Sequence, residues 1–247
     1  MRVADYVMQR ISKAGAKHLF MVTGRGVLYL SDAAAKNEDI SCISVHHEQA
    51  GAYAAMSYAQ YNEKLGAVLV STGCAMTNAI TPLLCAWQDE VPMIIISGQN
   101  MLNETVNYTG LPIRTYGQQE ANIIEIVKPI TKYATMIKNP DDIAYEMDKA
   151  LFEAHNGRKG PVWIDIPLDI QNARIEESEL KRFNGIKNNY PLNEKDLNEI
   201  IEGLNNSKRP VIVFGSAIRS SNSIKLFNNI PFYLSKLFYY IFIRWYI

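Results

Sequence analysis

From the N-terminus almost to residue 170, short apolar runs alternate with stretches in which apolar residues recur every three or four positions. This is the pattern of βα units in a parallel sheet: strands buried on both faces read as continuous apolar runs, whereas each covering helix needs only one apolar stripe. The strand candidates are HLFMV at 18–22, ISCISV at 40–45, GAVLVS at 66–71, VPMIIIS at 91–97, ITKYA at 130–134 and PVWIDI at 161–166, all rich in β-branched residues. About six strands is an ordinary sheet size. Val3, Tyr6, Val7, Ile11 and Ala14 form the inner stripe of a first helix, which Gly15 can end in a left-handed cap. A second clear helix is predicted over 140–155, with Asn139 as cap, Pro140 in the first turn, and Asp141 and Asp142 facing the positive end of the dipole.

Between Asn172 and Pro191 the pattern gives way to charged, Asn-rich sequence that reads as a linker. Beyond it, Leu192, Leu197, Ile200, Ile201 and Leu204 suggest a helix, RPVIVFG a strand, and the segment after Arg219 another helix. The expected organisation is an α/β doubly wound parallel sheet flanked by helices over 1–172, a linker over 173–191, and the start of a second α/β domain over 192–229. One strand and two helices are too few to bury both faces of a sheet. The stretch 230–247, IPFYLSKLFYYIFIRWYI, is aromatic and without helical or strand period. A membrane span needs about 20 apolar residues, and Lys236 and Arg244 interrupt this shorter run. It is read as an atypical tail on a protein that naturally continues past residue 229, with its exposure favouring aggregation.

Composition narrows the function classes. A hydrophobic content of 48% supports a substantial core in 247 residues. Lys and Arg number 25, as do Asp and Glu, so no net field draws the chain to nucleic acid or an anionic membrane. Cys42, Cys74 and Cys85 form no CxxC pair and stand in apolar surroundings, which suits reduced thiols and speaks against a structural metal site. The first 20 residues hold no uninterrupted apolar stretch of the kind a signal peptide needs, and a cytoplasmic location is expected.

In VHHEQAGAYAAMSYA, Glu48 stands at the junction of a buried strand and a helix rich in small residues. Two readings stand side by side. A partly buried acid there has its pKa raised and can hand a proton to a ring nitrogen; a carboxylate there is also favourable simply as a helix N-terminal charge. His46 and His47 adjoin it, as strand-end histidines or as a proton relay. GRGVLY at 24–29 follows a strand and opens a helix, with Glu48 about 20 residues later, as in a dinucleotide-binding turn, but Tyr29 occupies the place of the third glycine.

HHEQAGAYAAMSYAQ, GAVLVSTGCAMTNAITPLLCAWQDEVPMIIISGQ, GQQEANIIEIVKPITKYA and GPVWIDIPLDIQ resemble, in order and spacing, the pyrimidine-binding domain of acetolactate synthase and related thiamine-diphosphate enzymes. The resemblance covers residues 1 to about 172, and 190 to about 229 is similar to the start of the family's central domain. It implies that Glu48 bonds N1′ of the cofactor's aminopyrimidine and so activates it. Thr72 and Gly73 match the turn near the pyrimidine, with Cys74, Ala75 and Met76 where the family has other residues; a larger side chain at Met76 narrows that part of the site. Gly24, Arg25 and Gly26 stand at the family's substrate loop, where Thr23 replaces a proline and Arg25 adds a charge that either meets an anionic substrate or faces water. Gln119 and Glu120 match the family's FQE, with Gln118 in the phenylalanine position, and Arg114 is a further anion contact.

The family binds the diphosphate through Mg²⁺ on a separate C-terminal domain with a GDG motif, and no Gly-Asp pair occurs in this sequence. The resemblance thus implies the pyrimidine half of a thiamine-diphosphate site, Mg²⁺ elsewhere, and no implication about FAD. It implies a decarboxylase or carboligase for a 2-keto acid such as pyruvate, inactive alone and working as a homo-oligomer or with a complementing diphosphate-domain chain. The alternatives are the small pyrimidine-domain subunit of a two-chain enzyme and a non-catalytic remnant.

Overall fold

The computed structural model describes residues 1–187, 191–209, 211–215, 217–233 and 238–241. The chain divides into two compact units, Met1–Lys187 and Asn188–Ile247.

The first unit is built on a six-stranded, all-parallel sheet: β1 (His18–Met21), β2 (Ser41–Ser44), β3 (Gly66–Val70), β4 (Met93–Gln99), β5 (Tyr133–Met136) and β6 (Val162–Pro167), in the order β2-β1-β3-β4-β6-β5. Eight helices of this unit matter for the site and its support: α1 (Val3–Lys13), α2 (Leu28–Lys36), α3 (Glu48–Asn62), α4 (Cys74–Asn78), α5 (Ile80–Gln88), α6 (Ile123–Val127), α7 (Ile143–His155) and α8 (Leu168–Asn172). Alternation along the strands divides the core into two layers. Leu19, Ala67, Leu69, Ile94, Ile96 and Ile164 pack with α1, α2, α7 and α8, while Val68, Val70, Met93, Ile95 and Trp163 pack with α3, α4, α5 and α6. The doubly wound α/β architecture expected from the periodicity is the one observed.

Local chemistry accounts for the element ends. Val3, Tyr6, Val7 and Ile11 of α1 are fully buried. Gly15, at φ 102°, closes the helix with the paired bonds Gly15 N–H to Ser12 O and Ala16 N–H to Ile11 O, the reversal that only glycine enters without strain. The segment after Asn139 starts as a short 3₁₀ turn, Pro140–Asp142, capped by Asn139 Oδ1 accepting from the Asp141 N–H, before α7 begins.

Three expectations change. β2 is an edge strand with Ser41, Cys42 and Ser44 exposed, not a buried one; nothing in its own apolar pattern distinguishes an edge position from a central one. Cys42 and Cys74 are likewise exposed and Cys85 half-buried: Cys42 lies on this edge strand, Cys74 at the start of α4 in the wall of a cleft, and Cys85 in α5 against the core layer. The segment at 130–134 forms a strand only from Tyr133, since Lys128–Ile130 is a 3₁₀ turn.

Residues 173–182, read as the start of a linker, pack on the first unit. Ile175 and Leu180 join its core, the Val3 N–H donates to Ala173 O and the Ile175 N–H to Met1 O, and Arg182 pairs with Asp148 at 2.5 Å. In the second unit α9 (Glu194–Asn206), capped by Asn193, carries Leu197, Ile200 and Ile201 on an exposed stripe. It precedes β7 (Val211–Phe214), two helices, α10 (Ala217–Ser220) and α11 (Ile224–Tyr233), and β8 (Phe238–Ile241), parallel to β7. The tail read at 230–247 therefore contributes the end of α11 and β8, and its residues 234–237 and 242–247 lie outside the described residues. Among the described residues no helix is long and apolar enough to cross a membrane.

Candidate active site

After β1 the chain moves outward to β2, and after β2 it returns to the other side of β1 as β3. In open α/β sheets that reversal leaves a crevice outside the carboxyl ends of the strands. Here the crevice is a cleft of about 390 Å³, lined by residues that follow β1, β2, β3 and β4, with Gln118, Gln119 and Leu168 on its remaining walls.

Glycines let the strand ends close up. The turn Gly24–Arg25–Gly26 lies against Ser71 and Thr72 after β3, so closely that a side chain at Gly24 would collide with Ser71 Oγ and one at Gly26 with Thr72 Oγ1. The Gly26 N–H donates to Ser71 Oγ at 3.2 Å, Thr72 Oγ1 donates to Gly98 O at 3.1 Å, and Gln171 Nε2 donates to Gly26 O at 2.6 Å. These bonds tie the ends of β1, β3 and β4 to α8. Gly73, at φ 70°, lets the chain enter α4 beneath Gln119, whose carbonyl oxygen occupies the space a side chain at Gly73 would need. Gln119 itself holds φ 55°, a left-handed conformation uncommon for a residue with a side chain. Strain of this kind concentrates at functional walls.

Glu48 is the first residue of α3 and is half-buried in the cleft wall. Its helix is capped by the preceding residue, His47 Nδ1 accepting from the Gln49 N–H at 3.2 Å, so the ring is assigned the tautomer with its proton on Nε2. Asn78, at the end of α4, donates from Nδ2 to Glu48 Oε2 at 2.8 Å. Among the described residues Oε1 carries no hydrogen bond. Glu48 is the one carboxylate among the cleft-lining residues and Arg25 the one cation.

A buried polar chain supports the opposite wall. Asp165, in the middle of β6, accepts from Ser97 Oγ at 2.6 Å and from Gln99 Nε2 at 3.3 Å, and Trp163 Nε1 donates to Ser97 Oγ at 2.8 Å. Burial pushes the Asp165 carboxyl up to about 7 against the opposing pull of those two donors. Gln99 Oε1 accepts from the Asn100 N–H at 3.1 Å, Asn100 Nδ2 donates to Gln118 O at 3.0 Å, and Gln118 Oε1 accepts from Arg25 Nη1 at 3.0 Å. The chain of bonds thus runs from a buried acid to a cationic rim.

Of the residues singled out in the sequence, Glu48, Thr72, Gly24, Arg25, Gly26 and Gln119 line one cleft, and Gly73 lies under its wall. Arg114 is exposed and does not line it. Met76 is fully buried in the core under α4, so it does not narrow the cleft. His46 is exposed and His47 serves as the helix cap. Asn78, Ser71, Ser97 and Asp165 were not singled out; for Asp165 the signal was present, a lone acid inside the apolar run PVWIDIP.

The family model for the thiamine pyrophosphate enzyme N-terminal TPP binding domain matches residues 1–126. The chain belongs to this family. Its relatives include the acetolactate synthase large subunits of Haemophilus influenzae, 35% identical over 231 residues, and of Lactococcus lactis subsp. lactis, 33% identical over 226 residues. They align with 90% and 91% of this chain and with 38% of their own length. A chloroplastic acetolactate synthase of Arabidopsis thaliana is 30% identical over 232 residues, 91% of this chain and 33% of its own. The chain spans about 38% of the length of the bacterial relatives. The membership removes the dinucleotide reading of GRGVLY, whose glycines serve instead the close packing on Ser71 and Thr72.

Proposed function

We propose that the cleft binds the aminopyrimidine of thiamine diphosphate and that Glu48 is the residue that activates it, in an enzyme of the acetolactate synthase type acting on a 2-keto acid such as pyruvate. The observation that carries this reading is the Glu48 carboxylate in the cleft wall, oriented through Oε2 by Asn78. The bound cofactor supplies a nucleophilic thiazolium carbon at which a 2-keto acid can lose carbon dioxide, its two-carbon remainder passing to an acceptor or being released as an aldehyde.

The chain's own residues divide the remaining work. Glu48 holds a proton at the pyrimidine N1′, and the Asn78 amide fixes the carboxylate for it. Thr72 and Ser71 keep the turn at residues 24–26 against the ends of β3 and β4, so the cleft exists before a ligand arrives and little ordering entropy opposes binding. Leu168 contributes apolar wall, and Gln99, Asn100, Gln118 and Gln119 supply a polar one. Glu48, the cleft's one carboxylate, is committed to the pyrimidine in this scheme. The diphosphate and its Mg²⁺ are accordingly assigned to a diphosphate-binding domain elsewhere in a homo-oligomer or on a complementing chain.

The test is calorimetric titration of the full chain with thiamine. The wild-type chain should bind it, and Glu48→Gln should bind at least about tenfold more weakly, the scale of one charge-assisted hydrogen bond. Equal binding by both forms rejects the assignment.

A further inference from the structure

Arg25 occupies a built position. Gly24 and Gly26 on either side have no room for side chains against Ser71 and Thr72, and the Gly26 N–H is bonded to Ser71 Oγ, so the backbone that carries the guanidinium is fixed. Its head is held from across the cleft mouth by Gln118 Oε1, at 3.0 Å from Nη1. Gln118 is held in turn through its carbonyl by Asn100. The remaining neighbour, Glu104 Oε2, lies 3.9 Å from Nη2 in an exposed pair, a contact of little strength. A guanidinium offers five N–H donors in a planar fork, and these two contacts leave most of them for a ligand. Arg25 and Gln118 are two of the positions at which the resemblance to acetolactate synthase breaks, and they touch each other.

Resting on the cofactor reading above, we propose that Arg25 is a specificity-determining residue that binds an oxyanion, carboxylate or phosphoryl, which the substrate retains through the reaction. A cation on the carboxylate that departs as carbon dioxide holds the ground state, where the charge is localised, better than the transition state, where it is dispersing, and so gives no acceleration. An anion elsewhere on the donor is bound equally throughout and gives selectivity without that cost. A monocarboxylic 2-keto acid donor has no such group, because its one carboxylate departs; a dicarboxylic or phosphorylated donor has one.

The experiment titrates the full chain calorimetrically with 2-oxoglutarate, pyruvate and inorganic phosphate, as wild type, Arg25→Gln and Arg25→Lys, with thiamine titrated in the same preparations. Arg25 is 58% exposed, so both variants should fold, and their melting temperatures check it. Wild type should bind 2-oxoglutarate at least about tenfold more tightly than pyruvate; Arg25→Gln should abolish the preference and Arg25→Lys keep part of it. Tight binding of phosphate instead, lost in Arg25→Gln, supports the proposal with a phosphoryl group as the source. The proposal is overturned by a preference that survives Arg25→Gln, or by wild-type chain that neither prefers the dicarboxylate nor binds phosphate. Thiamine binding depends on Glu48 and not on Arg25. Its persistence without any anion preference removes this proposal and leaves the cofactor reading standing, whereas absence of both removes the two together.

Discussion

Replacing Asp165 with asparagine tests the buried chain that supports the cleft wall, and its effect should change with pH. The Asp165 carboxyl titrates at about 7 in the folded chain against 3.8 as its ordinary value. Because the folded pKa is the higher one, the native state holds the proton more tightly than the unfolded state. The penalty of burying the charge is therefore absent below 3.8, grows as pH rises, and is complete above about 7. At 1.36 kcal/mol per unit the full penalty is roughly 4 kcal/mol, and between pH 5 and pH 8 it grows by roughly 2–3 kcal/mol. The replacing amide carries no charge at either pH. It does lose the acceptor facing Gln99 Nε2, a pH-independent cost of about 1–3 kcal/mol. Urea unfolding of both forms at pH 5 and pH 8 gives the double difference, in which every other titrating group cancels. Asp165→Asn should gain roughly 2–3 kcal/mol on wild type over that interval, whatever its standing at either end. An identical pH dependence in the two forms would refute the reasoning, since it would mean that Asp165 is not the group penalised by burial.

Two glycines predict contrasting results. Gly26→Ala drives a methyl group into Thr72 Oγ1 at the joint between β1 and β3; it should cost about 1–3 kcal/mol in urea unfolding and weaken thiamine binding, because the turn must move. Gly15→Ala, at φ 102° with no atom within 4 Å of the new methyl group, should cost about 1–2 kcal/mol through backbone strain alone and leave thiamine titration unchanged.

Much of this architecture was legible in the sequence because strands buried on both faces declare themselves. MIIIS and VWIDI have no polar face to confuse the period, and the sheet places both at its interior. The edge position of β2 was not legible, since ISCIS reads the same in a central strand; only the order β2-β1-β3 exposes it. Glu48 stood out from its motif, whereas its partner Asn78 lies 30 residues away and reaches it only because α3 and α4 follow β2 and β3, the two strands that flank β1. The Arg25–Gln118 bond joins residues 93 apart, beyond any local spacing rule. Asp165 was visible as an acid in an apolar strand, but its bonds to Ser97 and Gln99 depend on the β4–β6 register, which no single segment contains.

The most direct test of the central claim is the rate at which the C2 proton of bound thiamine diphosphate exchanges with solvent deuterium, with the chain joined by a diphosphate-binding domain and the cofactor saturating. If Glu48 activates the pyrimidine, Glu48→Gln should retain the bound cofactor and slow the exchange by about 10²-fold or more, the usual scale for a positioned acid–base group. Exchange in Glu48→Gln at the wild-type rate would contradict the account and leave Glu48 as a charge that merely favours the start of α3.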